Sequence, residues 1–215
     1  MNNQTRKLTT VSMLCALAFL MAAVFRIPVV LFLRYDPKDI VIVITGFLFG
    51  PPIAALTTLI VSLAQMLTVS GTGFLGFVMN VLSSCAFACT ASFLYIKKRR
   101  LSGAVTGLVC GVVCQTAVML LWNYLIAPIY MGYSREMVSR LLLPVFLPFN
   151  LIKGSLNAAG VILLYKPLLS VLRHTDWIDS SSDTQKHNLY LPALFIAINV
   201  ILLCIFSILY FNGRV

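Results

Sequence analysis

The residues with the most chemical potential are polar side chains set within long apolar runs. Asn150, Lys153 and Asn157 are spaced i, i+3 and i+7, which puts them on one face of a helix. Amide and ammonium groups are costly in hydrocarbon, so such residues normally face protein, water or a ligand. The stripe therefore predicts a polar site inside a helical bundle.

Further polar residues are expected at the same depth. Asn80 lies early in one apolar run, Asn123 late in the next, and Gln65 near the end of an earlier run. With helices that alternate in direction, these residues share the outer half of the membrane with Asn150 and Lys153. This convergence predicts an outward-opening pocket with a few polar groups and an otherwise apolar lining. The aromatic candidates for that lining are Tyr35, Phe74, Phe77, Trp122, Tyr124 and Phe149. The alternative is that each amide bonds a neighbouring helix and Lys153 snorkels to the surface.

The composition requires a membrane. Of 215 residues, 60% are hydrophobic and 10% charged, and the mean hydropathy is +0.97, far from the balance of a water-soluble domain. Apolar segments occur at about 8–25, 39–50, 51–69, 74–96, 103–127, 141–165 and 189–211. We predict an all-α polytopic membrane protein, a six-helix bundle with an additional C-terminal transmembrane helix. The expected divisions are a membrane-embedded body at 1–170, a polar cytoplasmic linker at 171–188 and the additional helix at 189–215.

The second apolar segment is short for a membrane span. An N-cap at Asp36, Pro37 at the first helical position and Asp39 at the third predict about 14 residues, or roughly 21 Å. Because a hydrocarbon core is about 30 Å thick, the preceding loop at 26–38 is expected to dip into the protein. The alternative is local tilting or thinning of the bilayer.

The formal charge of +10 arises mainly from Lys and Arg in the short segments between apolar runs. With alternating helices, the basic residues on one face are Arg6, Lys7, Lys97, Lys98, Arg99, Arg100, Lys166, Arg173 and Lys186. The positive-inside rule makes that face cytoplasmic. The chain is therefore expected to lie in the cell membrane with its N-terminus inside.

Several chemistries lack the residues they need. The acidic residues are Asp36, Asp39, Glu136, Asp176, Asp179 and Asp183, all expected outside the membrane spans, which disfavours a carrier driven by its own ion gradient. No Gly-rich phosphate loop ending in Gly-Lys-Ser/Thr is present, so ATP hydrolysis is not expected in this chain. The two histidines, His174 and His187, have no triad or metal-ligand companions, so no catalytic residue is assigned.

Two cysteine pairs have i,i+4 spacing, Cys85 with Cys89 and Cys110 with Cys114. A four-thiolate metal site between two helices is geometrically conceivable. Sulfur-lined helix contacts without metal are far commoner, so no metal site is predicted.

Two strips of small residues could allow close approach of another helix. Ala18 and Ala22 are spaced i,i+4, with Ala16 and Ala23 nearby, and either a partner subunit or packing within the chain would fit them. The strip Gly103, Gly107 and Gly111 favours packing within the chain.

Three stretches resemble one family, the substrate-binding S components of energy-coupling factor (ECF) transporters, and within it the riboflavin-specific RibU type. They are LRYDPKDIVIVITGFLFGP at 33–51, WNYLIAPIY at 122–130 and LPFNLIKG at 147–154. The resemblance covers about residues 8–170. The seventh apolar helix departs from the family's pattern.

The resemblance implies a six-helix bundle without intrinsic catalysis that binds a vitamin near its outer face, under the first loop. It implies that Asn123, Asn150 and Lys153 bind the flavin, with Asn80 and Tyr124 as weaker candidates. Riboflavin would be a transported ligand rather than a cofactor. The family further implies that an alanine strip, here Ala18 and Ala22, docks on a transmembrane coupling subunit driven by two ATPase subunits. Alternatives are an S component for another small heterocyclic vitamin or precursor, and a membrane-embedded enzyme or assembly factor.

Overall fold

A computed structural model describes residues 3–25, 27–30, 33–68, 73–132, 134–173 and residue 201. Most of the predicted linker and nearly all of the predicted additional helix at 189–215 lie outside the described residues.

The described chain is almost wholly helical. Its helices are α1 (Asn3–Val24), α2 (Lys38–Phe49), α3 (Pro51–Thr68), α4 (Gly73–Lys98), α5 (Leu101–Met131), α6 (Arg135–Leu141) and α7 (Leu147–Arg173). A π-helical segment, Leu142–Phe146, joins α6 to α7 without a break. The joined helix, 135–173, is the sixth long helical segment of the bundle, and we call it the sixth rod. The predicted helical membrane fold is confirmed.

Five of the helices in the described part of the chain are long and apolar enough to cross a bilayer: Gln4–Val24, Pro51–Thr68, Gly73–Lys98, Leu101–Ile129 and Arg135–Tyr165. The last of these includes the short helix α6 and therefore begins earlier than the predicted segment at 141–165. Pro144 and Pro148 lie in and just after the π-helical segment. Proline lacks an N–H for the helical ladder, which accounts for irregular hydrogen bonding at this point.

The short helix α2 lies at the centre of the bundle. It has 12 residues, about 18 Å, and ten of them are buried. It packs against α1, α3, α4 and α7, so it is shielded from lipid on all sides. Gly50 ends α2 with a φ of 96°, a conformation that side-chain-bearing residues rarely adopt, and Pro51 begins α3 at once.

The loop before α2 contains a small β-hairpin that the sequence analysis did not predict. Strand β1 (Ile27–Val30) pairs antiparallel with β2 (Leu33–Tyr35), with Ile27 opposite Tyr35 and Pro28 opposite Arg34. Immediately after β2 the chain enters the interior, since Asp36 is only 4% exposed. We call this end of the bundle the hairpin end. The prediction that the loop dips into the protein is confirmed for this last part.

The strip of glycines on α5 packs within the chain. A Cβ at Gly107 would lie 2.6 Å from the Ala91 carbonyl oxygen, and one at Gly111 would lie 2.8 Å from the Phe87 carbonyl oxygen. Only glycine allows α4 and α5 to approach this closely. These contacts confirm the intramolecular interpretation of the strip.

Candidate functional site

Four ionisable side chains meet in the interior at the hairpin end. They are Asp36, Lys38, Asp39 and Lys153, with exposures of 4%, 0%, 0% and 7%. We call them the charged cluster. Charged groups are rarely buried unless they are paired, so such a group of four identifies this region as the first candidate for function.

Lys38 is the cation that joins three helices. Its Nζ lies 2.6 Å from Gln65 Oε1 on α3 and 3.0 Å from Asn80 Oδ1 on α4. It also lies 3.5 Å from Asp36 Oδ2, and Gln65 Nε2 donates to that same carboxylate oxygen at 3.1 Å. All three donors of this ammonium are therefore directed at protein groups.

Asp39 is the matching anion, and it joins α2 to α4 and α7. Ser84 Oγ donates to Asp39 Oδ1, and Asn157 Nδ2 donates to Asp39 Oδ2 at 3.2 Å. Tyr35 OH in turn donates to Asn157 Oδ1 at 3.1 Å, which connects the hairpin to α7. Asp39 is thus fixed by neutral donors as well as by charge.

Lys153 is held less closely than Lys38. Its Nζ lies 3.5 Å from Asp36 Oδ1 and 3.7 Å from Asp39 Oδ2, longer than the charge-assisted hydrogen bonds of about 2.7–2.9 Å between an ammonium and a carboxylate. Asp36 Oδ1 has no hydrogen-bond partner among the described residues. Lys153 is consequently the cation of the charged cluster best placed to donate to a further group.

The four charges sum to zero, two carboxylates against two ammonium groups. Asp36 lies between β2 and α2, outside the membrane-spanning helices. Burial alone would raise the pKa of its carboxyl, but Lys38 and Lys153 outweigh burial and hold that pKa below its ordinary value. Asp36 is therefore ionised at neutral pH and balances the two lysines.

The predicted stripe on the sixth rod does face the interior, because Asn150, Lys153 and Asn157 are all buried. Asn150 Nδ2 donates to the Phe146 carbonyl oxygen at 2.8 Å, at the end of the π-helical segment. That bond leaves Asn150 Oδ1 as an acceptor.

The other predicted binding residues differ in their surroundings. Asn123 on α5 is 1% exposed, and its Nδ2 has no hydrogen-bond partner in the described part of the chain. Asn80 accepts from Lys38 and so belongs to the network around the charged cluster. Tyr124 is 41% exposed, on a different side of α5 from Asn123. Asn123 is therefore a buried donor that remains available, whereas no contact among the described residues brings Tyr124 into the site.

One expectation about the acidic residues is wrong: Asp36 does not cap α2, since Pro37 occupies the N-cap position and no side chain caps this end. Asp36 and Asp39 lie outside the five long apolar helices, but both are buried in the bundle. The reason is that their partners, Lys153, Gln65 and Ser84, come from distant segments, and these contacts hold both carboxylates inside the protein.

Asp36, Lys38 and Asp39 are therefore members of the site that were not predicted from the sequence. A signal was available, because the short second helix must begin at depth and three charged residues stand at its start. A charged triplet at the buried start of a helix requires partners in the interior.

Ala18 and Ala22 are both 0% exposed within the chain itself. Helix α1 packs on α2 and α3, and these two alanines face that contact. Their burial favours packing within the chain over the predicted partner-docking strip. Ala16, by contrast, is exposed on the other side of α1.

No metal site is formed by the described residues, among which no three Cys, His, Asp or Glu side chains are grouped to hold an ion. Cys85, Cys89 and Cys114 are partly buried and Cys110 is exposed, all as free thiols.

Comparison with known proteins supplies a family. Residues 6–165 match the family described as "ECF transporter, substrate-specific component". The riboflavin transporter RibU of Staphylococcus aureus is 30% identical over 178 residues, which cover 79% of this chain and 94% of that protein. The riboflavin transporter RibU of Streptococcus thermophilus is 27% identical over 179 residues, covering 78% of this chain and 85% of that protein.

A solved structure agrees with these matches. The S component of a bacterial ECF transporter superposes with a TM-score of 0.68 at 30% identity, covering 80% of this chain and 99% of that one. The match thus extends over nearly the whole of the solved chain.

Proposed function

Because the chain belongs to the family of substrate-specific components of ECF transporters, we propose that it captures riboflavin at the hairpin end of its bundle for import. The observation that carries the proposal is the charged cluster and its amide neighbours, brought together in the interior from α2, α3, α4 and the sixth rod. The two RibU relatives, each matched over most of its length, support riboflavin as the ligand.

The hydrogen-bonding groups suit the polar edge of a flavin. That edge presents a carbonyl, an N–H and a second carbonyl in a row, so it needs two donors and one acceptor. Among the described residues, Asn123 Nδ2 is a buried donor without a hydrogen-bond partner, Lys153 Nζ is a loosely held donor, and Asn150 Oδ1 is an acceptor. In this proposal these three residues bind the ring or its ribityl chain, Asn80 supports them through Lys38, and Tyr124 contributes least.

Energy for import comes from partners in this proposal. Two ATPase subunits hydrolyse ATP and drive a transmembrane coupling subunit, and this chain supplies the ligand. The cluster Lys97, Lys98, Arg99 and Arg100 is exposed, and Lys97 lies 17 positions along α4 from Asn80, or about 26 Å. The positive-inside rule then places the N-terminus in the cytoplasm and the hairpin end outside.

Two further parts of the proposal concern surfaces and the C-terminus. Docking on the coupling subunit through Ala18 and Ala22 would require α1 to expose them, and Ala16 is the alanine already on the outer side of that helix. Residues 171–188 serve as a cytoplasmic linker, and 189–215 as an additional transmembrane helix.

Titration of the purified full chain in detergent with riboflavin tests the ligand. We expect saturable quenching of flavin fluorescence at one equivalent, because the ring enters a protein environment. A panel of other heterocyclic vitamins should leave the riboflavin signal unchanged. A folded preparation that quenches no flavin, or in which another vitamin displaces riboflavin at equal concentration, would contradict the assignment.

A further inference from the structure

We propose that Asp36 and Asp39 are specificity-determining residues that make the site select an uncharged flavin over its 5′-phosphate. The inference rests on the proposed function and concerns the charge of the ligand. It assigns to the two carboxylates the task of cancelling the lysine charges that would otherwise attract an anion.

The pairing of the charges carries the argument. Each lysine lies within 4 Å of a carboxylate oxygen, Lys38 at 3.5 Å from Asp36 and Lys153 at 3.5 Å from Asp36 and 3.7 Å from Asp39. All four side chains are more than nine-tenths buried. No cation in the charged cluster is left over to balance an incoming phosphate.

A phosphate ester brings about −1.5 to −2 charges at neutral pH. Burying an anion without a partner is expensive, and because Asp36 and Asp39 cancel the two lysines, the charged cluster offers no net attraction that would offset that cost. Riboflavin carries no charge and needs only the hydrogen bonds that the amides and Lys153 provide. The arrangement therefore favours the dephosphorylated vitamin.

Other described charges near this end do not alter the balance. Arg34 is exposed on the hairpin, and Arg135 is exposed at the start of α6. Glu136 and Arg140 pair with each other at 2.8 Å while remaining exposed. Exposed charges are screened by water and salt, so they compensate a buried phosphate poorly.

The test measures the ratio of dissociation constants for riboflavin 5′-phosphate and riboflavin in the full chain and in Asp36→Asn and Asp39→Asn. Each variant leaves one ammonium group unbalanced, so the preference for riboflavin should fall at least tenfold. Asp39→Glu keeps the charge and should preserve the preference. If both Asn variants still bind riboflavin and the ratio of dissociation constants is unchanged, the inference is overturned. If the unmodified chain does not bind riboflavin, the proposed function is overturned and this inference with it.

A measurement on the unmodified chain covers the case in which neither variant folds. Riboflavin 5′-acetate extends the ribityl chain without adding charge, so it separates size from charge. We expect it to bind at least tenfold more tightly than the 5′-phosphate. Equal weakening by both esters would mean that the site rejects bulk rather than charge, which overturns the inference.

Discussion

Replacing Lys38 with Met should lower the free energy of unfolding by about 3 kcal/mol or more, because removal of one partner strands the other charge of a buried pair. Without the ammonium group, Lys153 is the only cation of the charged cluster left to balance the charges of Asp36 and Asp39. Gln65 Oε1 and Asn80 Oδ1 also lose the donor that joins α2 to α3 and α4. Thermal unfolding in detergent, followed by circular dichroism, measures the loss.

The matched control is Lys98→Met, which makes the same chemical change at an exposed position at the end of α4. It should shift the unfolding midpoint little. The double variant Lys38→Met with Asp36→Asn removes one charge of each sign. Because the two residues are in contact, their effects on stability should not add, and the double variant should be more stable than Lys38→Met alone. If Lys38→Met were as stable as Lys98→Met, Lys38 would not be a central structural cation.

The largest effect on ligand binding is expected from Lys153→Ala. Truncation removes a donor that two long ion pairs leave available, and it unbalances the charged cluster. Riboflavin affinity should fall at least tenfold, about 1.4 kcal/mol, with a similar loss in Asn150→Ala. Fluorescence quenching titrations at matched protein concentration give both dissociation constants.

Leu151→Ala is the control for this series, because Leu151 lies between the two on the same helix but is 41% exposed. Its affinity should stay within about twofold of the unmodified chain. Unfolding midpoints without ligand separate weak binding from poor folding. Unaltered riboflavin affinity in a folded Lys153→Ala protein would remove Lys153 from the site.

The local sequence pattern predicts the helices of the body and one of their buried faces. Six of the seven apolar segments become the helices of the body, since length and hydropathy are properties of the segment alone. Helical spacing also places Asn150, Lys153 and Asn157 on one buried face, because the period of 3.6 residues holds whatever the helix packs against.

Features that depend on long-range contacts could not be predicted in this way. The helix-start chemistry of Asp36 and Pro37 is genuine as a local signal, but contacts with Gln65 and Lys153 outweigh it and redirect the carboxylate. The i,i+4 spacing of Ala18 and Ala22 identifies a smooth strip but not the helix that covers it. Which neighbour a residue meets is decided by the packing of α2 at the centre of the bundle.

The central helix α2 has two roles. Through Lys38 and Asp39, α2 connects α3, α4 and the sixth rod, and the same two charges balance Asp36 and Lys153 beside the proposed ligand. A site assembled from the start of a buried helix is rigid, because its side chains are fixed by contacts on all sides. That rigidity suits high affinity for one small, uncharged molecule.

The most direct measurement is an experimental structure of the full chain with riboflavin bound. We predict flavin density at the hairpin end, within hydrogen-bonding distance of Asn123, Asn150 and Lys153. The charged cluster should remain paired beside it. Flavin density anywhere else, with those three side chains bonded only to protein, would contradict the account.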